Sequence, residues 1–231
     1  MNNLALSVAL ATAPSSAFVE LRERPRFWFP LLLVVLTTAG LTYWYYSMVD
    51  IEWLKDLMSS TDPSFQKMSE DERAAAMAMF GRNMLLWSSV ISMFIIIPAV
   101  LLLEALYLLV AAKVTKLSLG FKHWFALACW TSLPMLLTTV VAAILLILSE
   151  NSQVAPSVMA PLSLNELLFH VPAGGPGYTL LESLGIPAFL SWALMMIGVR
   201  TWSQRSWAFS AILTLLPWVV IYGLWAFFAF R

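Results

Sequence analysis

The chain is poor in the side chains on which most catalytic and metal sites depend. It has one cysteine and two histidines among 231 residues, and only 11% of its residues are charged, against about 25% in soluble domains. A lone cysteine, Cys129, excludes an intramolecular disulfide. The formal net charge is zero, which gives no reason to expect a nucleic-acid partner. An ordinary soluble protein is therefore excluded.

Long apolar stretches take the place of the missing charge. Hydrophobic residues make up 61% of the chain, and five stretches reach or approach the roughly 20 residues that cross the hydrocarbon core. We predict an all-α, polytopic transmembrane helical bundle of five spans, with short interfacial amphipathic helices and a cytoplasmic N-terminal segment over residues 1–26. The transmembrane domain covers 27–231, and its predicted spans are 27–48, 84–112, 124–148, 180–199 and 207–230.

The segments between the spans alternate in charge. One set holds eight basic residues against Glu20 and Glu23, and the other holds five basic residues, Arg231 among them, against ten acidic ones. Because basic loops stay on the cytoplasmic side, we predict a bacterial inner-membrane protein with its N-terminus inside and its C-terminus in the periplasm. The predicted membrane anchors, which include a tryptophan at the headgroup boundary, are Arg22, Arg24, Arg26, Trp28, Lys113, Lys116, Lys122, Arg200 and Arg205.

Two extramembrane regions carry their own helix signals. The apolar N-terminal stretch 4–13 lacks the positive start of a signal peptide, so a helix lying on the membrane is favoured, with Leu4, Val8 and Ala11 on one face. In the acidic outer segment 50–82, Ser69 with glutamate three residues later predicts a capping box and a helix that runs on into the second span. This segment is either a solvated hairpin or a platform for a partner.

Three prolines lie well inside predicted spans and remove helical hydrogen bonds there. The carbonyl groups that they free must find other donors in a membrane. The prolines are Pro98, Pro134 and Pro217, and the hydroxyl groups that we expect to support them belong to Ser92, Thr131, Ser132 and Thr214.

Glu104 is the one ionisable residue deep within a predicted span. A charged acid there costs about 3 kcal/mol on insertion scales, and such residues mark functional sites by default. It is a proton or cation site, with Tyr107 one turn away sharing its surroundings, a contact inside an oligomer, or a neutral carboxyl that stabilises the bundle.

Enzyme templates find no match in the sequence. No aspartate lies within a span, His123 and His170 lie outside the spans, and no zinc, nucleophile-elbow or cysteine-cluster motif is present. We therefore predict no catalytic residue, no cofactor and no metal site.

Several diffuse patterns of small and aromatic residues extend over almost the whole chain. They are residues 14–18 followed by a basic segment and Pro25, residues 121–134 (FKHWFALACWTSLP), residues 164–168 (LNELL), residues 184–198 with Trp192, and residues 203–210 with Pro217. This profile resembles the Yip family, whose eukaryotic members bind Ypt/Rab GTPases, and in particular its bacterial branch. The resemblance implies five spans, a cytoplasmic N-terminus and a membrane-organising role that works through partners rather than catalysis.

Three functions follow as hypotheses. The first is a non-enzymatic scaffold that associates with the lipid bilayer and with other membrane proteins or further copies of itself. The second is a small transporter or permease component that uses Glu104 as a proton or cation site. The third is a lipid-handling protein whose basic ring gathers anionic headgroups.

Overall fold

The computed structural model describes residues 1–230, and the predicted outer basic residue Arg231 lies outside the described residues. The predicted all-α class is confirmed, because the strand pairing found in that part of the chain is one isolated bridge between Ser163 and Gly185. The α-helices are α1 (Asn3–Thr12), α2 (Pro14–Glu23), α3 (Trp28–Met48), α4 (Ile51–Thr61), α5 (Pro63–Gln66), α6 (Glu70–Met79), α7 (Arg82–Val114), α8 (Phe121–Thr131), α9 (Leu136–Leu148), α10 (Tyr178–Ser183), α11 (Ile186–Ser203) and α12 (Trp207–Ala229).

Four helical stretches among residues 1–230 are long and apolar enough to cross a membrane, and they match four of the predicted spans. They are Trp28–Met48, Arg82–Val114, Phe121–Leu148 and Trp207–Ala229. The remaining predicted span, 180–199, corresponds to α10 followed by the 18-residue α11, which is not among the four. The count of five spans therefore stays a prediction.

The described residues divide into two compact units, and the division falls inside the long helices. The first unit, called the basic unit here, contains Met1–Leu36, Ile95–Met135 and Ala188–Gly223. The second, called the acidic unit, contains Thr37–Phe94, Leu136–Pro187 and the described residues from Leu224 onward. Every predicted basic anchor falls in the first unit, and the acids of the outer segments fall in the second.

The core of the basic unit is built around α8, which is buried from Trp124 to Thr131. The two N-terminal helices pack into this core through Leu6, Leu10 and Phe18. The predicted N-terminal helix is thus present as α1, and the face with Leu4, Val8 and Ala11 is the exposed one. Apolar residues occur on both faces of α1 because one face contacts the protein and the other is left outside it.

The core of the acidic unit contains Tyr45, Leu54 and Leu146, with Val49 fully buried. Arg82 caps the C-terminal end of α3. Its guanidinium group donates to the carbonyls of Tyr46, Ser47 and Val49 at 2.6, 3.0 and 2.9 Å. The last carbonyls of a helix have no partner within it, so a basic side chain brought back from the start of α7 satisfies them.

One local expectation in the acidic unit is corrected. The Ser69 capping box is present and starts α6 as predicted, but the helix does not continue into the second span. It ends at Met79, and α7 begins at Arg82 after Phe80 and Gly81, since glycine favours a break in a helix. In the second outer segment, the leucine-rich stretch forms a π-helical turn over Asn165–Phe169.

Candidate functional site

Glu104 lies on α7, half-buried in the basic unit, among groups from two other helices. The indole of Trp218 on α12 lies beside its carboxyl, and Cys129 on α8 is also close. The geometry of the Trp218 N–H falls short of a full hydrogen bond to the carboxyl, and this buried N–H has no other acceptor. Trp218 also contacts Trp192, with ring centroids 5.7 Å apart. The Glu104 carboxyl therefore lies beside the N–H group of a tryptophan that packs against a second tryptophan.

Tyr107, the second predicted site residue, has a role that its spacing from Glu104 did not indicate. Its hydroxyl group donates to the backbone carbonyl of Leu213 at 2.9 Å. In a regular helix that carbonyl would accept from residue 217, four positions on, but Pro217 has no N–H. Tyr107 thus supplies the donor that Pro217 removes, and it ties α7 to α12.

The predicted hydroxyl supports have mixed outcomes. Thr214, expected to support Pro217, is buried and its hydroxyl has no partner, so that expectation is wrong. Ser92 donates to Ser89 within its own helix, rather than to the carbonyl freed by Pro98.

Pro134 breaks the third span, as the sequence predicted. The chain leaves α8 at Thr131, forms a 3₁₀ turn over Leu133–Met135 and resumes as α9. The hydroxyls of Thr131 and Ser132 donate to carbonyls of the preceding turn at 2.9 Å. The carbonyl of Trp130, which Pro134 leaves without a helical donor, accepts from the backbone N–H of Ser132.

The predicted basic anchors all lie in the basic unit and differ in their contacts. Arg26 donates to the carbonyl of Met1 at 2.6 Å, and it shares the carboxylate of Glu20 with the Met1 ammonium group. These two cations lower the pKa of Glu20, with the hydrogen bond from the Met1 ammonium as the main cause. Arg200 lies over the ring of Trp207 at 4.3 Å. The remaining predicted anchors are exposed: Arg22, Arg24, Trp28, Lys113, Lys116, Lys122 and Arg205.

Two tryptophans that the sequence did not single out hold the N-terminal segment in place. The indole N–H of Trp202 donates to the carbonyl of Phe18, and that of Trp130 donates to the carbonyl of Arg26, both at 2.7 Å. A buried indole needs an acceptor, and these two find theirs more than 100 residues away. The sequence shows that both tryptophans lie inside apolar helices. It does not show which carbonyl group accepts the hydrogen bond from each indole N–H.

An open cavity of about 610 Å³ in the acidic unit is a second candidate site. It lies between the end of α4 and the segment from 155 to 182, and the charged residues that line it are Asp62, Glu166 and Glu182, with no Lys or Arg. The buried side chain of Asn165 shapes one wall, since its amide group bonds both the N–H and the carbonyl of Val171 at 2.9 and 3.1 Å. A shaped acidic concavity suits a cationic partner group.

The surroundings shift the pKa values of two carboxyl groups of this cavity in opposite directions. Burial, together with the nearby Glu166, raises the pKa of Glu182, although the hydroxyl of Tyr178 donates to it at 2.9 Å. Hydrogen bonds from the hydroxyl and the backbone N–H of Ser64 lower the pKa of Asp62. Within residues 1–230, no group of three or more His, Cys, Asp or Glu side chains is arranged to hold a metal ion.

Comparison with known proteins identifies the family. A model of the Yip1 domain matches residues 8–228. The chain belongs to the Yip1 domain family. Comparisons with curated proteins and with solved structures yield no match. The match to the Yip1 domain begins within α1 and ends one residue before the end of α12, so it includes both candidate sites and nearly all of the four membrane-length helices. This chain is a membrane protein of that family.

Several small residues of this Yip1-domain chain contribute to close packing within the chain itself. Ala105 and Ala142 are fully buried, and a Cβ atom at Gly198 would clash with the side chain of Leu127 and lie 3.4 Å from Phe18. Small residues in an apolar helix can let a partner helix approach closely. Ala105 and Gly198 instead allow close packing within the basic unit, and Ala142 does so within the acidic unit.

Proposed function

We propose that this protein is a non-enzymatic membrane-organising scaffold that recruits another membrane protein through its acidic unit. The observation that carries the proposal is the cavity of about 610 Å³ whose charged lining residues are all acidic. Its volume lies within the range of pockets that enclose a ligand group. Electrostatic complementarity sets the choice of partner, so the partner presents a basic segment.

The helix next to this region supports a role as a platform. In α6, no residue is buried, although the helix has a complete capping box and three acids in its first turn. A helix that is stabilised locally and packs little against its own unit has its faces available to a partner. Family membership is consistent with action through partners, and a bacterial inner-membrane location with a cytoplasmic N-terminus belongs to the same proposal.

The experiment is site-specific crosslinking in native membranes. A photo-crosslinking residue at Leu57, on the cavity wall, should capture a partner in the full chain. The triple variant Asp62→Asn, Glu166→Gln, Glu182→Gln should reduce that capture about tenfold, because loss of complementary charge weakens association. The matched control removes three exposed acids of the same unit that lie outside both the cavity and α6: Glu52→Gln, Asp56→Asn and Glu150→Gln. Equal capture by both triple variants would contradict the proposal, as would a captured segment without basic residues.

A second candidate function is supported by a separate observation. Glu104 has the unpartnered N–H of Trp218 beside it, and the buried hydroxyl of Thr214 also lacks a partner in the same unit. An ionisable residue within a membrane-spanning helix marks a functional site by default, and polar groups without partners beside it could contact a bound ion. The alternative is a small transporter or permease component in which Glu104 binds a proton or cation.

Vesicle transport separates the two functions. Proton-dependent uptake by the reconstituted full chain, abolished by Glu104→Gln and retained by the cavity triple variant, would favour transport over the scaffold. Partner capture at Leu57 that is unchanged by Glu104→Gln, in vesicles without uptake, would favour the scaffold.

A further inference from the structure

A narrow apolar groove of about 310 Å³ lies between α7 and α12 in the basic unit. Its exposed walls are Val110 and Val114 on one side and Ile212 and Leu216 on the other. The small side chain of Ala111 helps to leave the space open. From Tyr107 to Thr115 the groove follows α7 for about 12 Å, at about 1.5 Å per residue.

The polar groups of the groove have no spare hydrogen-bond donors. The hydroxyl of Tyr107 donates to the carbonyl of Leu213, and that of Thr115 donates to the carbonyl of Ala111 at 2.7 Å. Other side chains that line the groove are aliphatic or aromatic. A molecule lying along it therefore meets apolar atoms.

One end of the groove carries a positive charge. The guanidinium group of Arg205 donates to the carbonyl of Thr115 at 2.6 Å and lies over the ring of Phe209 at 4.6 Å. Thr115 and Phe209 both line the groove. Lys113 and Lys116 flank Val114 and Thr115 in the chain and are exposed.

This positive end has no acidic partner in the part of the chain that the structure describes. The ion pairs found there join Glu20 to Met1 and Arg26, and Glu52 to Lys55. None involves Arg205, Lys113 or Lys116. The three cations therefore face outward with their charge uncompensated.

We propose that this groove binds one anionic phospholipid, with an acyl chain between α7 and α12 and the headgroup phosphate at Arg205. The ligand must be apolar along its length and negative at one end, and the groove has the complementary pattern. A guanidinium group is well suited to phosphate because it offers several N–H donors in one plane. An apolar helix of a partner protein would fill the walls but leave the charge at Arg205 unmatched.

Lipid retention measured by native mass spectrometry tests the proposal. The full chain is reconstituted in vesicles of equal parts phosphatidylcholine and phosphatidylglycerol, extracted in mild detergent, and the bound lipids are counted. Wild type is expected to retain phosphatidylglycerol in preference to phosphatidylcholine. The variant Arg205→Gln should lower that retention about fivefold, which corresponds to about 1 kcal/mol for a basic residue near an anionic surface. Arg205→Lys, which keeps the charge, should restore most of it.

Matched variants separate the groove from its surroundings. Ala111→Phe fills the groove and should abolish retention, whereas Val100→Phe adds bulk at an exposed position of α7 outside the groove and should not. Arg200→Gln removes a cation of the same unit that lies over Trp207, and it should leave retention unchanged. If Ala111→Phe fails to fold, Ile212→Trp obstructs the groove from an exposed wall and serves in its place.

Three results would overturn the proposal. If wild type retained the two lipids equally, the headgroup charge would have no role in binding. If Arg205→Gln and Arg200→Gln lowered the retention of phosphatidylglycerol equally, the lipid would be held by diffuse attraction to the basic surface. A photo-crosslinking residue at Ile212 that captures a protein rather than a lipid in native membranes would assign the groove to a partner helix. The proposal is independent of the acidic cavity, so neither experiment decides the other.

Discussion

Pro217 leaves the carbonyl of Leu213 without its helical donor, and the chain replaces that donor with a side chain from another helix. The proline was visible in the sequence, and the need for a replacement followed from elementary helix geometry. The identity of the donor did not follow. Thr214 was adjacent in sequence and was the natural expectation, but Tyr107 lies 106 residues away and makes the bond. Contacts between helices are not encoded in local spacing.

The first prediction concerns this bond. Tyr107→Phe should lower the stability of the chain by about 0.5–1.5 kcal/mol, the usual range for an interhelical hydrogen bond in a membrane protein. The physical reason is that the Leu213 carbonyl then has no donor. The measurement is unfolding of the detergent-solubilised chain in a denaturant titration.

A double-mutant cycle supplies the control. Pro217→Ala restores a backbone N–H that can donate to Leu213, so Tyr107→Phe should cost much less in that background. Tyr43→Phe, at an exposed tyrosine of α3, should have little effect. An undiminished cost of Tyr107→Phe in the Pro217→Ala background would show that the hydroxyl does not replace the missing donor.

The second prediction concerns Glu182, which lies in α10 and outside the four membrane-length helices. Burial raises the pKa of Glu182 above its ordinary value of 4.5, so folding favours the neutral carboxyl. Its contribution to stability is present below that value and is lost as the pH rises through the pKa of the folded state. Glu182→Gln mimics the neutral acid, so the variant should melt at a higher temperature than wild type at about pH 8 and at the same temperature at about pH 4.

The matched control for Glu182 is Glu150→Gln, at an exposed acid of the same unit. The difference in melting temperature between this variant and wild type should not change with pH in that way. A Glu182→Gln variant that is less stable than wild type at the higher pH would contradict the prediction, and would mean that the ionised carboxylate is the favoured form.

At the scale of helices, two glycines on different elements have opposite surroundings. Gly198 on α11 faces Leu127, which is completely buried and has little room to move. Gly40 on α3 is exposed, and an added Cβ atom there would meet nothing within 4 Å. The sequence shows a glycine inside an apolar helix in both cases, and cannot distinguish them.

The third prediction follows from that contrast. Gly198→Ala should destabilise the chain by about 1–3 kcal/mol, because overpacking forces a buried neighbour to shift. Gly40→Ala should be neutral or stabilise the chain by up to about 1 kcal/mol, since alanine is the better helix former. Denaturant titration of both variants gives the comparison. Equal effects at the two positions would show that Leu127 accommodates the methyl group without cost.

Several helix boundaries were predictable because they depend on local chemistry. The capping box of Ser69 and Glu72 begins α6, and Pro134 ends the first half of the third span. The break at Phe80 and Gly81 was missed, because one glycine beside an apolar run is a weak signal against helix continuity. The π-helical turn at Asn165–Phe169 was not predicted from the sequence.

At the scale of the whole molecule, the sorting of charge predicted from the sequence matches the division of the chain into two units. The predicted basic anchors all lie in one unit, and the acids of the outer segments all lie in the other. The placement of the connecting segments on alternate sides of a membrane stays a prediction. The direction of insertion remains a prediction from the positive-inside rule.

The fourth prediction tests that direction. A cysteine introduced at Ser64, in the acidic unit, should react with a membrane-impermeant thiol reagent added to intact cells. A cysteine at Ser118, in the basic unit, should react only after the membrane is permeabilised. Both positions are exposed, and the native Cys129 is buried, so background labelling is low. Labelling of Ser118→Cys alone in intact cells would reverse the orientation.

The sequence by itself determined that this is a helical membrane protein, where the membrane-length helices lie and how charge is sorted between segments. Those properties depend on composition and on local spacing, because apolar length and the position of charges control insertion. Only the tertiary structure decided which side chains meet: Tyr107 with Leu213, Trp202 with Phe18, and the acids around one cavity. These contacts join distant parts of the chain, and in an almost uniformly apolar sequence no local pattern distinguishes one partner from another.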